Sequence, residues 1–265
     1  MERHVRAWMT AEVVQGTDIA LLVAPSAAPA SRESLTVRAG GAEHPVTEAR
    51  DRYGNRMHLV SGLPAGTVEI VHTADGIAAA PVPPTSEADA VLHLRPSRYC
   101  EVDELTSVAR ELVGERGGID AGRTIVRWVH EHLEYVPGSS TVTDSARSTY
   151  DARRGVCRDY AHLTATLLRA AGIPARCASV YAPGLDPMDF HLVVEALVGE
   201  EWLVVDATGL APRSAMVRIA TGQDAADTAF MTTLAGDVQL TGIQVTAVVD
   251  PALPREDPSA SVQLR

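Results

Sequence analysis

Arg153-Arg154-Gly155-Val156-Cys157-Arg158-Asp159-Tyr160-Ala161-His162-Leu163 sets a cysteine just after a glycine and inside the start of an apolar-periodic helix. Helix N-termini carry partial positive charge and unpaired N–H groups, which favour a thiolate over a thiol. The same N–H groups can hold a developing oxyanion in acyl transfer. Tyr160, Leu163, Leu167 and Ala171 recur at helical spacing and predict a buried face beneath the cysteine, and Gly172-Ile173-Pro174 stops the helix.

Working outward from that helix, a histidine follows among strand-forming residues, Phe190-His191-Leu192-Val193-Val194-Glu195. An aspartate then closes another strand, Trp202-Leu203-Val204-Val205-Asp206-Ala207. Gly199-Glu200 between the two reads as a two-residue hairpin turn. Val198 then faces Glu201, and counting outward sets Asp206 opposite Val193 with His191 two positions along. Diagonal neighbours in an antiparallel pair lie ~7–8 Å apart at the backbone, within reach of a His–Asp hydrogen bond. Leu192, Val194, Ala196, Leu203, Val205 and Ala207 form the opposite, apolar face, so one face is expected in the core and the other is expected to carry the chemistry. His162, five residues past Cys157, lies about 140° around the helix and points away from the thiol, which suits a buried structural histidine. Cys100 has no helix-start context, and Cys177 reads as a core residue of a strand. His191 and Glu195 are four apart on a strand, not a helix, and no H-E-x-x-H is present, so no metal and no cofactor is expected.

Upstream, short alternating runs such as Leu35–Arg38 and Thr67–Val71, separated by Gly40-Gly41, Gly54-Asn55 and Asp75-Gly76, predict an antiparallel sandwich or open barrel over residues 1–90. Pro81-Val82-Pro83-Pro84-Thr85 reads as a stiff linker. Asp103 is expected to cap a helix running to about Arg116, and Asp120 a second with Ile125, Trp128, Val129 and Leu133 inward. Pro137 to Ser148 reads as a loop. Residues 91–250 form the expected catalytic unit, with strands at 177–181, 190–198, 201–207 and 238–249, and residues 251–265 a loose tail. The pattern is therefore an all-β N-terminal part followed by helices and then strands.

Length and composition agree with this. The chain has 265 residues, 46% hydrophobic and 22% charged, and its net charge of −11 argues against nucleic acid or an anionic membrane as partner. All 23 basic residues are arginine, so no lysine side chain is available for Schiff-base chemistry or self-crosslinking. Three irregularly spaced cysteines fit a reducing, cytoplasmic compartment. No apolar run reaches the ~18 residues of a membrane-spanning helix.

The segments Gly155 to Leu163, Leu168-Arg169-Ala170-Ala171-Gly172-Ile173-Pro174-Ala175-Arg176, His191 to Glu195 and Trp202 to Thr208 resemble the nucleophile helix, histidine strand and aspartate strand of the transglutaminase-like cysteine enzyme superfamily. Pro96-Ser97-Arg98-Tyr99 looks like the entry to its catalytic domain. The resemblance spans roughly residues 90 to 235. It implies a papain-like α+β catalytic core, with Cys157 as nucleophile, His191 as base and acid, and Asp206 as orienter. Many relatives carry His-Ala-Trp and Asp-Pro-Thr where this chain has His191-Leu192-Val193 and Asp206-Ala207-Thr208, so the walls of the site differ and no substrate carries over.

The expected chemistry is attack of a Cys157 thiolate on an amide or ester carbonyl, a thioester intermediate, and release by water or an amine. A peptide or protein is the expected substrate, with a small amine as the second acceptor, and hydrolysis is slightly favoured over transamidation. Thr149 and Tyr150 are the nearest guesses for a second oxyanion donor. The competing reading is a peptide-binding or scaffold module that keeps the fold without catalysis.

Overall fold

The computed structural model describes residues 1–26, 30–79, 82 and 85–264. Pro81, Pro83 and Pro84 of the expected linker lie outside the described residues.

The N-terminal part is β1 (Glu2–Val13), β2 (Thr17–Leu21), β3 (Arg32–Ala39), β4 (Ala42–His44), β5 (Thr47–Arg50), β6 (Arg56–Leu63) and β7 (Gly66–Ile77). The helical part follows with α1 (Glu87–Leu92), α2 (Thr106–Val113), α3 (Gly118–His132), β8 (Glu134–Tyr135), α4 (Ala146–Ala152), β9 (Arg154–Gly155) and α5 (Cys157–Ala170). Then come β10 (Ala175–Tyr181), β11 (Phe190–Val198), β12 (Glu201–Val205), β13 (Val217–Gly222), α6 (Ala225–Thr228), β14 (Met231–Ala235) and β15 (Val238–Asp250). The class is α+β, as the resemblance implies.

Two sheets, ordered β15-β1-β7-β3-β4 and β14-β2-β6-β5, sandwich a core of Met9, Ile19, Leu21, Val37, Val60 and Ile70. The sandwich is thus present, but its limits differ from those expected. β14 and β15, placed with the catalytic unit on sequence grounds, pair with β2 and β1 (Met231 with Leu21, Arg3 with Val249). A period-2 pattern says which residues of a strand are buried and nothing about its neighbour, so β15 could be recognised as a strand but not assigned to a sheet.

The catalytic part packs α5 against the sheet β12-β11-β10-β13. Every residue of α5 from Asp159 to Arg169 is buried, because α2 and α3 cover the side away from the sheet; Leu105, Ile125, Val129, Leu163, Leu167, Leu192 and Val194 share that core. The helix ends as predicted: Gly172, with φ of 78°, takes the left-handed conformation, the Ile173 amide reaches the Leu168 carbonyl and the Gly172 amide the Arg169 carbonyl.

The expectation of one apolar and one chemical sheet face is corrected. Val193 and Val204, on the His191 side, enter a second core with Ala178, Val180, Met216 and Leu264, so both faces are buried. Leu264 belongs to the segment expected to be loose. Instead the Val262 carbonyl accepts from the Val204 amide at 2.7 Å, and Arg213 clamps Glu256 at 2.7 Å along with the Asp257 and Ala260 carbonyls. A third shared core joins sandwich to catalytic sheet through Val5, Ala7, Ala74, Val245, Tyr181 and Ile219.

Smaller differences have local causes. The first helix opens as a 3₁₀ turn (Val102–Leu105) and ends at Gly114, not Arg116. The second is capped by Gly117 in extended conformation, with Asp120 inside its first turn. α4 begins inside the expected loop: Ser145 accepts from the Ser148 amide while Ser148 reaches back to the Ser145 amide, a capping box written with serine in place of the usual Glu or Gln.

Candidate active site

Cys157 is the first residue of α5 and is half-buried. The two residues before it are set by Asp159, in the first turn of the helix. Its carboxylate accepts from the Val156 amide at 2.8 Å and from the Ser140 hydroxyl at 3.0 Å. Gly155 is required there because a Cβ would lie 2.5 Å from the Asp159 Cβ. The Gly-Val-Cys-Arg-Asp run is thus one unit: the acid closes the helix start, and the glycine lets the acid in.

The hairpin has the expected register. Val198 pairs with Glu201 and Val194 with Val205, and Gly199 turns with φ of 66°. Extending that register by one residue sets Asp206 where its carboxylate meets His191. Asp206 Oδ2 lies 2.9 Å from His191 Nε2, and both side chains are almost fully enclosed. The second oxygen, Oδ1, accepts from the Thr208 hydroxyl at 2.7 Å and the Thr208 amide at 2.9 Å. Thr208 therefore fixes the carboxylate plane, a positioning role that the Asp-x-Thr spacing carries in the sequence. His191 Nδ1 is buried without a hydrogen-bond partner among the described residues, and the Cys157 sulfur is near enough to add to the proton's hold on the ring.

Charge follows from these contacts. Burial works against a protonated His191, but the Asp206 carboxylate and the Cys157 sulfur outweigh it and push the ring up to about 10. Burial likewise opposes ionisation of Asp206, and His191 and Thr208 together overcome it and hold the carboxyl below its ordinary range. The pair is an imidazolium facing a carboxylate on one side and the cysteine on the other.

Tyr135 escaped the sequence reading. The parallel bridge of β8 to β9 sets it opposite Gly155, two residues before the cysteine, and its ring packs 5.9 Å from that of Tyr160. Burial, with negative charge at Cys157 and Asp206 adding to it, pushes its hydroxyl up to about 12, while a backbone hydrogen bond at Cys157 works the other way. The phenol therefore stays protonated beside the helix start, with the Cys157 backbone N–H as its neighbour. A two-residue strand in Leu133-Glu134-Tyr135-Val136 leaves almost no periodic signal. The two residues guessed for that position are engaged elsewhere. Tyr150 stacks with Trp128 and His132, and Thr149 is buried in α4 with its carbonyl taken by the Arg153 amide.

His162 sits where geometry sent it. It is fully buried, stacked on Tyr99 at 5.2 Å, and its Nε2 accepts from the Ala225 amide at 3.1 Å. Burial lowers its pKa to about 3, so it stays neutral. Cys100 and Cys177 are fully buried free thiols. Glu195 is bound by both Arg176, at 2.8 Å, and Arg218, which uses up its oxygens.

The Transglutaminase-like superfamily profile matches residues 106–207, the stretch from α2 to the aspartate strand. A crystal structure of a protein from Cytophaga hutchinsonii, provisionally assigned as a cysteine protease, is 30% identical and superposes with a TM-score of 0.87 over 98% of this chain and 96% of that one. An uncharacterized protein of Mycobacterium leprae is 28% identical over 145 residues, 51% of this chain and 52% of its own, so the match spans about half the length of that curated relative. The periplasmic domain of TgpA from Pseudomonas aeruginosa is 19% identical, with a TM-score of 0.41 over 77% of this chain and 90% of that one. On the extended match to the Cytophaga structure and the profile over its core, the chain belongs to the transglutaminase-like superfamily and has the fold of its thiol-dependent enzymes.

Proposed function

We propose that the protein is a thiol acyl-transfer enzyme acting on peptide or amide bonds through Cys157, His191 and Asp206. The observation that carries this reading is the shared placement of an enclosed His–Asp pair, 2.9 Å apart, with the free ring nitrogen on the side of a cysteine at a helix start. The Cys157 thiolate attacks the carbonyl carbon. The oxyanion is held by the helix-start amide and by the Tyr135 hydroxyl, which replaces the guesses made from sequence. His191 gives its proton to the departing amine as the C–N bond breaks, leaving a thioester on Cys157. Water, deprotonated by His191, then attacks the thioester, releasing the acid and restoring the Cys157 thiolate beside protonated His191. A small amine in place of water would give transamidation, and hydrolysis is the favoured outcome. Asp206 keeps the ring oriented and stabilises its charge. Three unpaired thiols agree with a reducing compartment, and the cytoplasm is the proposed location.

The test is a rapid acid quench of the protein with a panel of acyl-peptide amides, followed by intact-mass and peptide mapping. A hydroxylamine-labile acyl adduct on Cys157, absent in Cys157→Ala, is the expected result. Incorporation of ¹⁸O from water against that of a fluorescent alkylamine then separates hydrolysis from transamidation. A protein that binds these peptides and never forms an adduct would be a binding module.

A further inference from the structure

Behind the strand that carries Asp206 lies a cavity of about 570 Å³, walled by α3, by the β11–β12 hairpin and by residues 256–262. Its volume falls in the range of small-molecule sites. Val126, Val198, Leu203 and Val205 make the walls apolar, and α3 presents Arg123 and Arg127 to it, one turn apart on the same side. Across the cavity Arg213 is neutralised by Glu256 at 2.7 Å. The α3 arginines are not neutralised: Arg123 gives one bond to the Ser259 carbonyl at 2.8 Å, and Arg127 has no hydrogen-bond or ion-pair partner among the described residues. Two like charges at i, i+4 disfavour the helix unless an anion lies between them.

We propose that this cavity binds a medium-chain carboxylate, its acyl chain along the apolar hairpin wall and its head group between Arg123 and Arg127. The site is separate from the thiol. It adjoins the triad only through its wall, where Asp206 and Ala207 contribute and where His130 of α3 donates to the Ala207 carbonyl at 2.8 Å.

Isothermal titration of the full chain at low salt, with sodium decanoate kept below its micelle concentration, tests this. Decanoate should bind saturably with one site per chain, and decanol and decylamine at least roughly tenfold more weakly, as expected for loss of a charge-assisted contact. Arg127→Gln should weaken decanoate by a similar factor, and Leu203→Trp, which fills the cavity, should abolish binding. Arg127 is exposed, so its substitution carries the test by itself if the Leu203 variant fails to fold. Absence of saturable binding, equal binding of decylamine, or an Arg127→Gln protein that binds decanoate unchanged would each overturn the proposal.

Discussion

The cysteine helix with its hairpin and the β-sandwich are held by opposite kinds of contact. In the hairpin, Val198 pairs with Glu201 across a two-residue turn, and counting along the two strands is enough to bring His191 to Asp206. In the sandwich, the edge is closed by β1 with β15, residues from the two ends of the chain (Glu2 with Asp250). The difference teaches where precision and where cohesion come from. Short-range turns set the geometry of the candidate site, and long-range pairing ties it to the rest of the molecule. β1 makes this concrete: Met9 and Val13 fill the sandwich core, while Val5 and Ala7 of the same strand fill the core shared with β10 and β13.

That comparison can be broken most forcefully at the shared core. Val245→Asp in β15 buries an unpaired carboxylate among Val5, Ala7, Val217 and Ile219, at a cost of roughly 3–5 kcal/mol. Thermal unfolding followed by circular dichroism and, in a Trp8→Phe, Trp128→Phe background, by Trp202 fluorescence should shift together, as for one cooperative unit. A catalytic part that keeps its melting temperature would show that the two regions stand apart. At the site, Tyr135→Phe should lower kcat by about 10²–10³, the usual effect of losing one oxyanion donor, with KM nearly unchanged. A variant with full kcat would remove Tyr135 from the chemistry while leaving the cysteine helix intact.

At neutral pH the smallest effect concerns His162, whose contribution changes only on acidification. Its native pKa of about 3 lies below the ordinary 6.5, so the folded protein keeps it neutral while the unfolded chain takes up a proton. Stability is therefore complete above about pH 6.5 and falls as pH drops from there towards 3. Each such histidine contributes up to ~1.4 kcal/mol per pH unit. His93, also buried and held to about 3, acts in the same direction. Urea denaturation between pH 7 and 4 should show a shallower acid slope for His162→Gln than for the parent; identical slopes would mean that the ring protonates in the native state.

The same contrast explains what could be read from the sequence. The positions of Cys157, His191 and Asp206, the hairpin register and the stop of α5 at Gly172 all depend on signals spanning a few residues, and all appear in the structure where the sequence puts them. Tyr135 was invisible because its strand is two residues long and its partner is β9, some twenty residues on. The membership of β14 and β15 in the sandwich, and the anchoring of residues 251–264 on β12, depend on which surfaces remain uncovered once everything else has packed. No local pattern records that. α4 was lost for a third reason, because Ser145 and Ser148 cap a helix with residues that also make loops.

The central claim is that Cys157 and His191 form an ion pair oriented by Asp206, and the most direct test is the rate of iodoacetamide alkylation against pH. Peptide mapping would assign the label in the parent, His191→Ala and Asp206→Asn proteins. The account predicts faster labelling of Cys157 in the parent than in His191→Ala at pH values below the free-thiol value of ~8.5, since His191 keeps its proton until pH approaches 10 and its charge favours the thiolate. Asp206→Asn should fall between the two. Parent and His191→Ala proteins that share one profile centred near that free-thiol value would contradict it.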